Sequence, residues 1–139
     1  ALAFLGGAMV MTAATHQRIQ VFNDERLLWQ DTLNKNPESV TAANNLGFAH
    51  YRNGEWKKAV NAWRKATQIS LGGYADAWAG LAIGLQKLGR LEEARVVYWN
   101  AVKLDRTYAR PEKLVDKLIW EPTQAADLAV LARRFPYKD

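Results

Sequence analysis

Downstream of Asn23 the sequence repeats itself at an interval of 35 positions. The residues that coincide at this offset are Leu46 with Leu81, Gly47 with Ala82, Gly54 with Gly89, Ala59 with Ala94, Trp63 with Tyr98, Ala66 with Ala101, and Ile69 with Leu104. A repeat of this length is typical of supersecondary units that stack on one another, because one unit alone cannot bury its apolar face. The interval therefore predicts a solenoid.

Each unit has the pattern of two helices joined at a glycine. The first helices are predicted at 39–53 and 76–88, and the second at 56–70 and 91–105. Gly54 and Gly89 stand between them, where a turn favours a left-handed residue. Along the second helices, small residues alternate with a ring, as in Ala59, Trp63 and Ala66. We expect close helix contacts in which a ring fills the space that small residues leave.

These residues resemble the tetratricopeptide repeat family. The motif is carried by Trp78, Leu81, Ala82 and Leu85, followed by Ala94, Tyr98 and Ala101, and by Leu46, Gly47, Gly54, Ala59, Trp63 and Ala66 in the earlier unit. The resemblance implies an all-α, right-handed solenoid of helical hairpins. We expect units at 40–73 and 75–108, a half repeat at 23–38 and a capping hairpin at 109–139. That hairpin is predicted to contain helices at 111–120 and 123–135, with Thr123 as a cap.

The first fifteen residues carry no charge. As a helix they would extend about 22 Å, less than a bilayer core of about 30 Å. We interpret residues 1–22 as an apolar N-terminal helix. It could be the end of a spanning helix, a helix that packs on copies of itself, or a buried helix of the domain.

A second resemblance concerns the junction between residues 18 and 47. Arg18, Leu28, Trp29, Pro37 and Leu46 belong to a run similar to the link between the last membrane helix and the first repeats in multi-spanning, glycosyltransferase-like bacterial membrane proteins. This resemblance implies a membrane-associated, extracytoplasmic location, in the periplasm or at the cell surface.

The sequence offers little chemistry for catalysis. Cysteine is absent, which excludes disulfides and thiol nucleophiles, and the two histidines, His16 and His50, show no metal-ligand spacing. No phosphate-binding loop or nucleophile motif is present. The net charge of +5 comes from scattered residues, most with an acid nearby, which disfavours nucleic acid as a partner. We expect a non-enzymatic protein without a metal or cofactor.

The family resemblance implies a concave groove lined by the first helices, which would bind a protein or peptide. The residues mapped to that face are Thr41, Asn44, Phe48, Tyr51 and Arg52, then Asp76, Ala79, Ile83, Gln86 and Lys87. Phe48, Tyr51 and Ile83 would offer apolar contact. The alternative, that Phe48 and Tyr51 pack beneath a neighbouring helix, stays open.

Three functions are consistent with this pattern. The first is an interaction scaffold tethered through residues 1–22. The second is a structural subunit that assembles into a filament or ring through the same residues and the solenoid ends. The third is an accessory C-terminal tail of a membrane glycosyltransferase. We adopt the scaffold, because a tetratricopeptide-like interaction module is common to all three.

Overall fold

A computed structural model describes residues 24–117 and 119–138. Within them the chain is all-α, with no strand. The helices are α1 (Glu25–Lys35), α2 (Val40–Arg52), α3 (Trp56–Ile69), α4 (Ala75–Lys87), α5 (Leu91–Leu104), α6 (Glu112–Asp116) and α7 (Pro122–Arg134), with a 3₁₀ turn at Arg106–Ala109. The predicted helix at 1–22 lies outside the described residues.

The repeats form two helical hairpins, α2 with α3 and α4 with α5, and each helix packs mainly on its neighbours in the chain. The start of α2 is capped as the sequence predicts, because the Ser39 hydroxyl accepts a hydrogen bond of 3.1 Å from the amide of Ala42. The predicted all-α solenoid is confirmed.

Both predicted glycine turns adopt the left-handed conformation. Gly54 has φ +72° and Gly89 has φ +74°. After each glycine, the next amide donates to a carbonyl five positions earlier, Glu55 to His50 and Arg90 to Leu85, at 3.0 Å in both cases. This is the Schellman motif, which satisfies the last carbonyls of the helix and reverses the chain.

The turn between the repeats uses the same motif without glycine at the left-handed position. Leu71 has φ +51°, and the Gly72 amide donates to the Thr67 carbonyl at 2.8 Å. The Leu71 side chain is 94% exposed, so packing does not offset the steric cost of this conformation. The residue therefore carries backbone strain at the junction of the two repeats.

The centre of the core is the fully buried indole of Trp63 in α3. Gly47 of α2 and Gly80 and Gly84 of α4 face it, and a Cβ added at Gly47 would lie 2.6 Å from Trp63 Nε1. The expected arrangement of small residues against a ring is confirmed here. It brings α2 and α4 close together on either side of α3.

The C-terminal hairpin differs from the prediction. The helix expected at 111–120 ends at Asp116, and the amides of Ile119 and Trp120 both donate to the Leu114 carbonyl. This turn frees Trp120 to point its indole into the repeats. The cap of α7 is Glu121, not Thr123, because α7 begins one residue earlier, at Pro122. The Gln124 side chain accepts from the Glu121 amide at 3.2 Å.

Candidate functional site

The structure places the predicted groove residues in three environments. Thr41, Arg52 and Lys87 are exposed, and Asp76 and Gln86 are partly buried. Asn44, Phe48, Tyr51, Ala79 and Ile83 are buried. Apart from Phe48, which lines a cleft, the buried ones do not present apolar surface to a partner in this conformation, because the chain's own C-terminal hairpin lies over this face of the repeats.

Asp76 is the anchor of that hairpin. Its carboxylate accepts hydrogen bonds from Tyr108 Oη at 2.9 Å and from Trp120 Nε1 at 2.5 Å, both from the C-terminal region. It also accepts one from Asn44 Nδ2 of α2, at 2.7 Å. Hydrogen bonds to a charged acceptor are stronger than those between neutral groups. One carboxylate on α4 therefore joins the first repeat to the hairpin.

A reciprocal contact runs from the hairpin to the repeats. Asp127 of α7 accepts a hydrogen bond from the Tyr51 hydroxyl and forms an ion pair of 2.9 Å with Lys87 Nζ. Tyr51 and Lys87 come from different repeats. Two of the predicted groove residues, Tyr51 and Lys87, therefore contact α7 of the same chain.

An aromatic series follows the same path. The Phe48 ring meets Trp63 edge-on at 5.1 Å between centroids, and Trp120 edge-on at 5.3 Å. Trp120 in turn contacts Tyr108 at 6.1 Å. Edge-to-face pairs of this kind add to the burial of apolar area. The core of the repeats and the hairpin thus form one continuous cluster.

Burial in this cluster shifts the acidity of its phenols. It raises the pKa of Tyr51 and Tyr108 well above the usual range, and the carboxylates of Asp127 and Asp76 beside them add to the shift. Burial alone raises the pKa of Tyr98 to about 12. Their hydroxyls are therefore protonated at neutral pH, and those of Tyr51 and Tyr108 act as hydrogen-bond donors.

Part of the concave face stays open. A cleft of about 600 Å³ lies between α1, α2 and the turn that leads into α7. Its apolar lining comes from Trp29, Phe48, Val115, Ile119, Trp120 and Pro122. The Ile119 side chain is 52% exposed and adds apolar surface to this lining. We call this space the concave cleft.

The polar lining of the concave cleft is mainly acidic. Glu25, Asp76 and Glu121 face one cation, Arg52. Arg52 is already paired, since its guanidinium contacts Glu25 and lies 3.5 Å from Glu121. The formal charge of these four side chains is therefore negative.

One buried donor in the concave cleft has no partner. Gln124 is 3% exposed, and no described residue accepts a hydrogen bond from its Nε2. Its Oε1 is held by the Glu121 amide, which fixes the orientation of the carboxamide. A buried amide group without a partner is costly, and this one lies beneath the lining of the concave cleft.

His50 lies away from the concave cleft, in an ion-pair network. Its Nδ1 is 2.6 Å from Glu55 Oε2, and Glu55 also contacts Arg26 and Lys58. The hydrogen bond from His50 and the two cations hold the pKa of Glu55 at about 2. Within residues 24–117 and 119–138, no three potential ligands come together in a geometry for a metal ion.

The sequence analysis did not assign Glu25, Trp29, Ile119, Trp120 or Glu121 to a site. The sequence contained a signal for Trp29, because its position in the half repeat corresponds to that of Trp63 in the first repeat. No sequence signal indicated that residues 119–121 belong to the site, since their position depends on how the C-terminal hairpin folds back over α4.

Comparison with known proteins agrees with the fold. Residues 40–70 match the tetratricopeptide repeat family model. The chain is similar to the crystal structure of MamA, with a TM-score of 0.60 and 20% sequence identity over 87% of this chain and 72% of that one. This similarity shows a shared fold. A search of curated proteins finds no match.

The comparisons do not show the resemblance to glycosyltransferase-like proteins, which stays a prediction. Among the helices of residues 24–117 and 119–138, none is both long and apolar enough to cross a membrane.

Proposed function

We propose that this chain is a non-enzymatic protein-interaction scaffold that binds a peptide segment in the concave cleft. The observation that carries the proposal is an open cleft on the concave face that combines an apolar lining with acidic side chains. The tetratricopeptide-like fold supports it, since stacked helical hairpins present surface for binding. A volume of about 600 Å³ lies within the range of ligand sites.

The lining defines the chemistry of the peptide. Trp29 and Ile119 favour an apolar side chain, and the acidic residues Glu25 and Glu121 favour a lysine or arginine next to it. Binding a basic and apolar segment would place opposite charges together, which raises specificity and the rate of association.

Selection from a displayed library of random peptides tests this function. The full chain is the target, and we expect the selected peptides to combine lysine or arginine with leucine or phenylalanine. Glu25→Lys should weaken a selected peptide at least fivefold, by fluorescence anisotropy. Glu38→Lys is the matched control, because Glu38 is exposed and does not line the cleft.

The proposal is contradicted if no peptide is enriched, or if the two variants weaken binding equally. Ile119→Ser separates the apolar contribution from the electrostatic one. It should reduce the affinity for a selected peptide without changing how that affinity depends on salt concentration, because it removes no charge.

Residues 1–22 are proposed to tether or assemble the scaffold, with an extracytoplasmic location. The uncharged sequence of the first fifteen residues supports this proposal, because such a segment is suited to contact with lipid or with a second copy of the chain. Sedimentation of the intact chain with and without detergent tests this. Monomers without detergent would contradict both tethering by lipid and assembly into a filament or ring.

A further inference from the structure

A second concave site lies at the other end of α7. Helix α7 separates the two sites by about 18 Å. Pro122, at its start, lines the concave cleft. Arg134, at its end, lines the second site. The pocket has a volume of about 440 Å³ and is an open depression between α5 and the tail after α7. Its rings are Trp99, Phe135 and Tyr137. We call it the tail pocket.

The tail pocket is held in shape by contacts within the chain. Trp99 Nε1 donates to the Phe135 carbonyl at 3.1 Å, and Tyr137 meets the Trp99 ring edge-on at 6.4 Å. The Arg106 guanidinium lies over the Tyr137 ring at 4.7 Å. Since these contacts fix the tail on α5, a ligand would meet a preformed surface, which lowers the entropic cost of binding.

The polar groups of the tail pocket are cationic: Arg95, Arg134 and Lys138. Arg95 lies over Trp99 at 4.7 Å and forms an ion pair of 3.0 Å with Glu92, whose side chain is 79% exposed. Arg134 lies over the Phe135 ring at 5.5 Å. No acidic side chain among the described residues forms an ion pair with Arg134 or Lys138. Positive charge beside rings therefore faces solvent at this end of the molecule.

We propose that the tail pocket binds an acidic peptide segment of a partner protein, with one aromatic or large apolar side chain seated among the rings. Carboxylates on either side of that anchor contact Arg134 and Lys138. This inference goes beyond the function proposed for the concave cleft, because the two sites share no lining residue and have opposite charge.

The distribution of charge favours a peptide over a nucleic acid. Binding of single-stranded nucleic acid needs a row of basic side chains that follows the phosphate backbone beyond the base stacked on the rings. Along the neighbouring part of the repeats, Arg64 and Arg90 are instead paired with Glu93, at 3.6 and 2.6 Å. At the pocket itself, Arg134 and Lys138 form no ion pair with a described acidic side chain, over a length that suits a few residues of peptide.

Fluorescence anisotropy of a labelled, end-blocked pentapeptide tests the proposal. The probe has one phenylalanine with two glutamates on each side, and the control probe has glutamines in place of the glutamates. The full chain should bind the acidic probe at least tenfold more tightly than the neutral one at physiological salt. Arg134→Glu should abolish most of that difference.

Arg133→Glu is the matched control, because Arg133 is adjacent and exposed but does not line the pocket. It should reduce the affinity less than Arg134→Glu does, because Arg133 does not line the pocket and its charge is partly screened at this salt. Circular dichroism and melting curves check that both variants fold. Selected cleft peptides should bind Arg134→Glu as they bind the parent chain, which separates this site from the concave cleft.

Four results would overturn the proposal. Two concern the acidic probe: it binds no more tightly than the neutral probe, or it does not bind at millimolar protein. The third is an equal loss of affinity for the acidic probe in the two arginine variants. The fourth is tighter binding of an oligothymidylate of matched length. Self-association that Arg134→Glu abolishes would assign the surface to a second copy instead.

Discussion

The indole ring of Trp63 occupies the space in which a side chain at Gly80 would lie. Gly47 and Gly84 leave room for the same ring, so three glycines from two helices surround one tryptophan. Close packing of this kind is sensitive to the addition of a single methyl group. It fixes the distance between the two repeats, and with it the position of Asp76 and the concave cleft.

Gly80→Ala should lower the free energy of unfolding by roughly 3 kcal/mol, because the added methyl overlaps the buried indole. Urea denaturation measures the loss. In the Gly80→Ala background, Trp63→Phe should lower the free energy of unfolding by less than it does in the parent chain, since the smaller ring makes room for the methyl group. Strict additivity of the two changes would contradict the contact.

Leu71→Gly should raise the free energy of unfolding by about 0.5–1 kcal/mol. Glycine adopts the left-handed conformation without steric cost, and the exposed leucine side chain loses no packing. Leu71→Ala is the control and should give no such gain, because alanine keeps a Cβ. A lower midpoint for Leu71→Gly than for the parent would show that the side chain has contacts.

Asp76→Ala should destabilise the docking of the C-terminal hairpin by about 3 kcal/mol. The change leaves the Trp120 indole, the Tyr108 hydroxyl and the Asn44 amide without their acceptor. Hydrogen exchange of the α7 amides should accelerate more than exchange in α3.

Asp31→Ala is the control for that change, since Asp31 forms an exposed pair with Lys35 one turn away. Pairs of this kind contribute less than about 0.5 kcal/mol. If both variants exchange alike, Asp76 does not anchor the hairpin.

Alkaline pH should destabilise the protein. The pKa values of Tyr51, Tyr98 and Tyr108 are raised in the folded chain above their unfolded value near 10. The folded state therefore binds more protons above pH 10, and stability falls as pH rises, by about 1.4 kcal/mol per pH unit for each tyrosine. Urea denaturation between pH 8 and 12 measures the slope.

Tyr98→Phe removes one of these titrations and keeps the buried ring. It should therefore reduce the slope by about 1.4 kcal/mol per pH unit between pH 10 and 12, the range between the unfolded and folded pKa of Tyr98. A slope that does not change in this variant would place the alkaline transition in other groups.

The repeats could be predicted because their structure depends on local patterns. Gly54 and Gly89 require the left-handed conformation, and the small residues around Trp63 belong to helices close in sequence. The groove could not be predicted in the same way. Asp76 meets Trp120 across 44 residues and Tyr51 meets Asp127 across 76, and no periodicity encodes such pairs. The sequence pattern therefore placed the groove residues on one helix face and left open whether a neighbouring helix covers Phe48 and Tyr51.

Overhauser effects between the rings of Phe48 and Trp120 in the free protein test the central claim. This claim is that the chain's own C-terminal hairpin covers the concave face of the repeats outside the concave cleft. The two centroids are 5.3 Å apart, so the account predicts strong cross-peaks between their protons. Absence of these cross-peaks, with those between Phe48 and Trp63 intact, would show an open groove and contradict it.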